Sequence, residues 1–218
     1  MTQLVFFDLD GTISRRDTLL QYLAAFLWRR PWRWPRLVVA LPALWRFVTR
    51  RADRGELKGA LLHAVLGGCR APVIERHTER WIAQFVPRGC RADALAAVRA
   101  HQAQGDHLIL MSASVDLYVP RLAAALGMHE AICTATRWRA DGRYDGRLQG
   151  ANCRDQEKAR RMRERLRSQP TRGRVWAYGN SRPDLPHLRL AERAILVNAG
   201  RRLRAEAAAL GIECLDWR

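Results

Sequence analysis

Lysine is nearly missing from this 218-residue chain: of 38 cationic residues, only Lys58 and Lys158 are lysines. Acidic residues are also few, 21 in all, which leaves a formal charge of +17. Between Asp17 and Asp53 there is none. So basic a chain favours anionic partners: nucleic acid, an anionic membrane surface or a phosphorylated substrate. Cysteine is sparse and unpatterned. Cys69, Cys90, Cys133, Cys153 and Cys214 are odd in number, widely spaced and form no C-x-x-C. That argues against a disulfide framework or a zinc ribbon and points to a reducing compartment. The six histidines do not pair at i, i+4, so a histidine metal site is not expected. The start lacks the pattern of a signal peptide, and the apolar stretches near 18–28 and 37–45 are too short to span a bilayer. The expected location is cytoplasmic. Internal repeats and low-complexity segments are missing too. What is present, at 48% hydrophobic residues, suffices for one α/β domain with a modest insertion.

Along the chain, residues 3–7 read as a buried strand, since the apolar run is short and rich in β-formers. Residues 18–86 read as helical, with breaks expected at Pro31, Pro35, Pro42, Gly55, Gly67–Gly68 and Pro72. A helix follows over 91–104, then the buried strand "HLILMSAS" and a helix over 115–126. "AICTATRWRADGRYDGRL" predicts a strand and a hairpin turning at Asp141–Gly142. A charged helix over 155–168, the strand "RVWAYGN", a helix over 184–193, the strand "AILVNA", a helix over 201–210 and a last strand at "IECLDW" complete the pattern. Strands alternating with helices imply a parallel sheet covered on both faces. The helical stretch after the first strand interrupts that alternation and reads as an inserted cap, residues 16–87. The core is then 1–15 and 88–218.

Ligand sites of open α/β sheets lie beyond the carboxyl ends of the strands, and the polar clusters fall there. "DLDGT" follows the first strand, with Asp8, Asp10 and Thr12. Ser112–Ser114 follow the second, and Asn180–Asp184 follow the third. Each alone could be a turn or a helix cap. Two carboxylates ending a buried strand nevertheless call for a cation, and Mg²⁺ takes oxygen ligands from one or two carboxylates plus substrate phosphate and water. Lys158 is the lone lysine of the core, where arginine is the default. A lysine there suggests a need for a compact point charge.

In this order the clusters "FFDLDGT", "LILMSAS", "CRDQEK" and "AYGNSRPDLPHL" resemble the four motifs of the haloacid dehalogenase superfamily of phosphohydrolases. A helical insert directly after the first motif resembles the subfamily that contains phosphoserine phosphatase. The resemblance implies a Rossmann-like α/β core with a helical cap. It implies Asp8 as nucleophile, forming an aspartyl-phosphate, and Asp10 as general acid and base. It places Thr12, Ser112, the backbone of Ala113 and Lys158 around the phosphate, and Asp8, Asp10, Asn180 and Asp184 around Mg²⁺. The pattern departs at Asn180, where the superfamily usually has an aspartate, so the metal site loses one negative charge. A catalytically weak phosphate-binding module is the reading that Asn180 alone would support. Asp17 lies where phosphoserine phosphatase places a carboxylate for the substrate amine. Its plain alternative is a helix N-cap.

The cap segment "WRRPWRWPRLVVALPALWRFVTRR" holds Trp28, Trp32, Trp34 and Trp45 among seven arginines. Leu37, Leu41, Leu44, Trp45 and Val48 share one helical face, which Pro42 should interrupt. One reading packs the tryptophans on the core. A second docks the cap on an anionic bilayer, peripheral to the inner face of the membrane. Bacterial phosphatidylglycerophosphate phosphatases of the same superfamily look similar in this respect. A third, nucleic-acid binding, has no motif behind it and ranks last.

Overall fold

A computed structural model describes residues 2–168 and 173–218. Its centre is a six-stranded parallel sheet. In chain order the strands are β1 (Leu4–Asp8), β2 (His107–Val115), β3 (Glu130–Thr134), β6 (Val175–Gly179), β7 (Arg193–Val197) and β8 (Glu213–Leu215). A separate antiparallel hairpin pairs β4 (Thr136–Trp138) with β5 (Tyr144–Leu148). The sheet order is β3-β2-β1-β6-β7-β8. β1 thus lies between β2 and β6, so the residues following these three strands come together at the carboxyl edge.

Side chains alternate along a strand, and β1 uses both faces. Leu4 and Phe6 pack with Met162 of α7 (Gln156–Ser168), Leu188 of α8 (Leu185–Leu188) and Ala207 of α9 (Arg201–Ala209). Val5 and Phe7 pack with Val98 of α5 (Ala92–Ala103) and Leu122 of α6 (Val119–Ala125). This second core continues into the helical insert. There Tyr22 lies edge-on to Trp81 and tilted on Tyr118, and Trp81 stacks on Phe85.

The insert comprises α1 (Thr18–Trp28), a 3₁₀ segment (Pro31–Ala40), α2 (Leu41–Val48), α3 (Arg54–Leu66) and α4 (Ala71–Gly89). The break expected at Pro42 is present: the 3₁₀ segment ends at Ala40 and α2 starts at Leu41 with Pro42 in its first turn, where a missing N–H costs nothing. Gly55 likewise falls inside the first turn of α3, which Asp53 starts by accepting from Glu56 N at 2.8 Å. The helix expected over 184–193 shrinks to Leu185–Leu188, because β7 already begins at Arg193. The helix expected from 115 starts only at Val119, since β2 runs to Val115.

The chain leaves and re-enters the core side by side: Arg15 N donates to Gly89 O at 3.0 Å and Arg91 N to Ile13 O at 2.8 Å. The hairpin then holds α3 from the core side. His63 Nδ1 meets Asp145 O at 2.6 Å. Gly146, at φ +87°, is where the backbones come closest; a Cβ there would overlap His63.

Candidate active site

β1 ends on Asp8, and the chain then turns through Gly11 at φ +87°. Glycine adopts this conformation freely. A Cβ at Gly11 would also overlap the side-chain amide of Asn180, which lies against it. The first and third polar clusters therefore meet at this turn.

Asp8 is buried, and both of its oxygens are engaged. Thr12 Oγ1 donates to Oδ2 at 2.7 Å, and Lys158 Nζ donates to Oδ1 at 2.5 Å. Lys158 extends from the first turn of α7 and also donates to Asp184 Oδ1 at 2.8 Å. The other oxygen of Asp184 accepts from Ser181 Oγ, Ser181 N and Asn180 N at 2.7, 3.1 and 3.2 Å. Asp10 turns away from this pair. Its Oδ1 accepts from Thr18 N and Oγ1, at 2.6 and 2.7 Å, and its Oδ2 from Ser114 Oγ at 2.9 Å and Ser112 Oγ at 3.3 Å.

The charges explain the titration. Burial first, then the neighbouring Asp184 carboxylate, push Asp8 up to about 7, against the pull of Lys158. Burial opposes the ionised form of Asp184 too, but Lys158 wins and holds it below the usual carboxylate range. Lys158 is raised above the ordinary lysine value: burial works against its charge, and Asp184 and Asp8 outweigh it. Asp10 is raised by burial and then by the charge of Asp17. Asp8 and Asp184 thus share one buried ammonium while Asp10 is held by Thr18, Ser112 and Ser114, so the acids of the site outnumber the cation that meets them.

That excess suits a hard cation. The side-chain oxygens brought together here belong to Asp8 and Asp184, with the amide of Asn180 against Gly11 beside them. Among the described residues, no three His, Cys, Asp or Glu side chains form a cage. Mg²⁺ needs none, since it keeps several waters and binds through one or two carboxylates. The residues present therefore fit the metal.

A cavity of about 300 Å³ opens over these groups. Asp8, Asp10, Ser114, Lys158 and Asp184 line its floor, and Leu20, Phe47, Leu57 and Leu61 of the insert line its roof. Ala113 is on the wall, but Ser112 is fully buried, its hydroxyl turned onto Asp10 and receiving Ser114 N at 2.9 Å. Ser114 is the hydroxyl that faces the cavity. Asp17 fits both of its readings: its Oδ1 caps α1 through Leu20 N at 3.0 Å, and it lines the cavity. Asn180 stays off the wall, beside Gly11.

Lys58 is a site residue that the sequence reading missed. It projects from α3 across the cavity to the core, donating to Ala113 O at 2.5 Å and Asn152 Oδ1 at 2.7 Å. Burial lowers its pKa to about 8, while Asp10 and Asp17 pull the other way. The signal was available: in an arginine-rich chain Lys58 is as exceptional as Lys158, and both lysines of the chain line this cavity. Arg54 and Arg154 line it as well.

The model of the haloacid dehalogenase-like hydrolases matches residues 5–189. Protein CicA of Caulobacter vibrioides is 37% identical over 190 residues, covering 87% of this chain and 83% of that protein. A probable phosphatase of Mycobacterium tuberculosis is 28% identical over 216 residues, 97% of this chain and 74% of its own. In fold, the crystal structure of a Bordetella pertussis protein of unknown function agrees with a TM-score of 0.83 at 24% identity, over 99% of both chains. With the ordered polar clusters gathered at one cavity and the family match running from β1 to the end of α8, this chain belongs to the haloacid dehalogenase-like hydrolases and is an enzyme of that family.

Proposed function

We propose that the protein is a Mg²⁺-dependent phosphomonoester hydrolase acting on the headgroup phosphate of an anionic lipid such as phosphatidylglycerophosphate. The observation that carries the reaction is the grip on Asp8: Thr12 on one oxygen, Lys158 on the other. It aims a buried carboxylate into the cavity with a cation beside it. A carboxylate oxygen of Asp8 attacks phosphorus, the bond to the leaving oxygen breaks, and Asp10 gives that oxygen a proton. Asp10 then takes a proton from water. The water oxygen bonds to phosphorus, the acyl-phosphate bond breaks, and phosphate leaves. The raised affinity of Asp10 for its proton suits the acid step. Lys158 and the bound metal supply positive charge where the transferring phosphoryl oxygens need it.

The insert's outer surface supports the lipid half of the reading. Trp28, Trp32, Trp45 and Val48 are 80%, 71%, 67% and 68% exposed. Among the described residues, all the exposed large apolar side chains except Trp138 and Leu210 lie between Leu20 and Val48. The expectation that these tryptophans pack on the core does not hold; Trp81 does that instead. Each large apolar side chain left in water forgoes about 1.5–3 kcal/mol of burial, and a patch rimmed by arginine suits an anionic interface. No helix among the described residues is long and apolar enough to cross a membrane, so contact would be peripheral.

Asp17 on the cavity wall favours a second reading, a small-molecule phosphatase of the phosphoserine phosphatase type. Purified protein with Mg²⁺ should release phosphate from phosphatidylglycerophosphate in mixed vesicles faster than from phosphoserine. The reverse order would replace the first reading with the second. No release from either, or from p-nitrophenyl phosphate, with any of several divalent metals would overturn both.

A further inference from the structure

A second cavity, of about 200 Å³, lies between the end of α1 and the first half of α4. Its lining is Arg29, Arg30, Val73, Arg76, His77 and Arg80, none of which reaches the catalytic cavity. Four guanidinium side chains thus surround one small space. Among the described residues, none of the four has a carboxylate partner. The acids of α4 that could have served, Glu75 and Glu79, pair with Arg121, at 3.6 and 3.1 Å.

Some of this arrangement has an internal cause. Arg29 and Arg30 stand at the C-terminal end of α1, where free carbonyls favour cations. Arg30 also lies 4.2 Å over the ring of Phe26. Arg76 has only the carbonyl of Pro72, to which its Nε donates at 3.2 Å, and Arg80 has no such cause. They are four apart on α4, a like-charge spacing that weakens a helix, and they face the first two across the cavity. Burial, and the charges of Arg33, Arg29 and Arg80, lower the pKa of Arg30. His77 forms part of the lining through a ring held on Tyr22 O by Nε2 at 3.0 Å. A ring of cations that no protein anion neutralises is complementary to an anionic ligand. Guanidinium forks match tetrahedral oxyanions in particular. The volume falls below the range of drug-sized ligand pockets and suits a phosphate group with part of its ester.

We infer that this cavity is a second, non-catalytic anion site, which binds a phosphate group through Arg29, Arg30, Arg76 and Arg80. The phosphate could be free orthophosphate or the headgroup phosphate of an anionic lipid. The inference does not rest on the phosphatase reading.

The test uses the whole protein and two double variants. Arg76→Gln with Arg80→Gln opens the cavity, and Arg50→Gln with Arg51→Gln removes the same charge elsewhere on the insert. Orthophosphate is titrated by calorimetry in metal-free buffer, and co-sedimentation is measured on phosphatidylglycerol–phosphatidylcholine vesicles. Loss of an orthophosphate site in the cavity variant alone supports the site with free phosphate as ligand. Unchanged calorimetry, with vesicle affinity falling about tenfold further than in the control pair, supports it with the lipid headgroup as ligand. Equal behaviour of the two variants in both assays overturns the site and leaves only diffuse charge. Hydrolysis of p-nitrophenyl phosphate should stay at the wild-type rate in both variants, so a catalytic failure and a failure of this site read out separately.

Discussion

Positive charge is arranged differently in the core and in the helical insert. In the core, several cations meet acids. Lys158 bridges Asp8 and Asp184, Arg161 binds Glu157 at 2.7 Å, Arg165 binds Glu130, and Arg160 lies between Glu157 and Glu164. In the insert, of the seven arginines between Asp17 and Asp53, only Arg46 reaches a carboxylate, Glu56, at 3.1 Å. Arg33 and Arg36 settle for backbone carbonyls of Val65 and His63. Paired charges inside the core serve position and chemistry. Unpaired charges on the insert leave electrostatic attraction unspent, available to something outside the chain.

Breaking the paired region should have the largest effect. Asp8→Asn removes the proposed nucleophile and should lower phosphate release by roughly three orders of magnitude or more, read as turnover of p-nitrophenyl phosphate. The same variant has an opposite effect on stability. The folded protein holds a proton on Asp8 up to about 7, well above the ordinary aspartate value, because burial and Asp184 disfavour its charge. The folded state therefore binds more protons than the unfolded one across that window, and stability falls as pH rises through it. In metal-free buffer the variant should melt higher than wild type at pH 8, with the gap closing towards pH 4. A wild-type melting temperature flat across that range would show that Asp8 is not perturbed.

Lys158→Ala should cost both activity and fold, since it leaves two buried carboxylates without their cation. Losing one partner of a buried ion pair costs about 3–5 kcal/mol, a fall in Tm of roughly 10 °C for a chain of this size. A loss of activity with unchanged Tm would mean the pair is looser than the distances indicate. Lys58→Met cuts the link from α3 to Ala113 and Asn152. It should lower kcat/KM by roughly tenfold to a hundredfold, one to two buried hydrogen bonds to a charged group, and change Tm far less. Equal kinetics would reduce Lys58 to a structural tie.

The unpaired region should respond in the opposite sense. Removing Arg50 and Arg51 should leave Tm unchanged or slightly raised, since like charges separate. It should also weaken binding to phosphatidylglycerol vesicles most at low salt, where screening is least. Smallest of all, Arg160→Ala on α7 removes only the ion pairs of an exposed guanidinium and should leave Tm almost unchanged. A larger shift would show that the core arginines form a network.

Much of this was legible before any fold was built. "FFDLDGT" announced both a strand and the charges at its end, because an apolar run with β-formers is unambiguous when it stops on two acids. The strand and helix alternation placed the clusters at one sheet edge. Less visible were the details that depend on what lies opposite. Ser112 and Ser114 are equivalent in sequence, and only the curl at the end of β2 decides which hydroxyl faces the cavity. Lys58 lies 55 residues from Ala113 in the chain, so no local pattern could connect them. Pro42 marks a break as expected, whereas Pro35 falls inside the 3₁₀ segment, a difference that only the start of each helix fixes.

By itself, the sequence determined the family, the order of its polar clusters and the unbalanced basicity of the insert. Those follow from residue type and spacing, which are properties of the chain alone. The tertiary structure decided which tryptophan of the insert is buried and which four are exposed, that Lys58 and Lys158 converge on one cavity from opposite sides, and that four arginines line another. Burial and proximity arise only when distant segments pack, and they set which charges are neutralised inside the molecule and which are left for a partner.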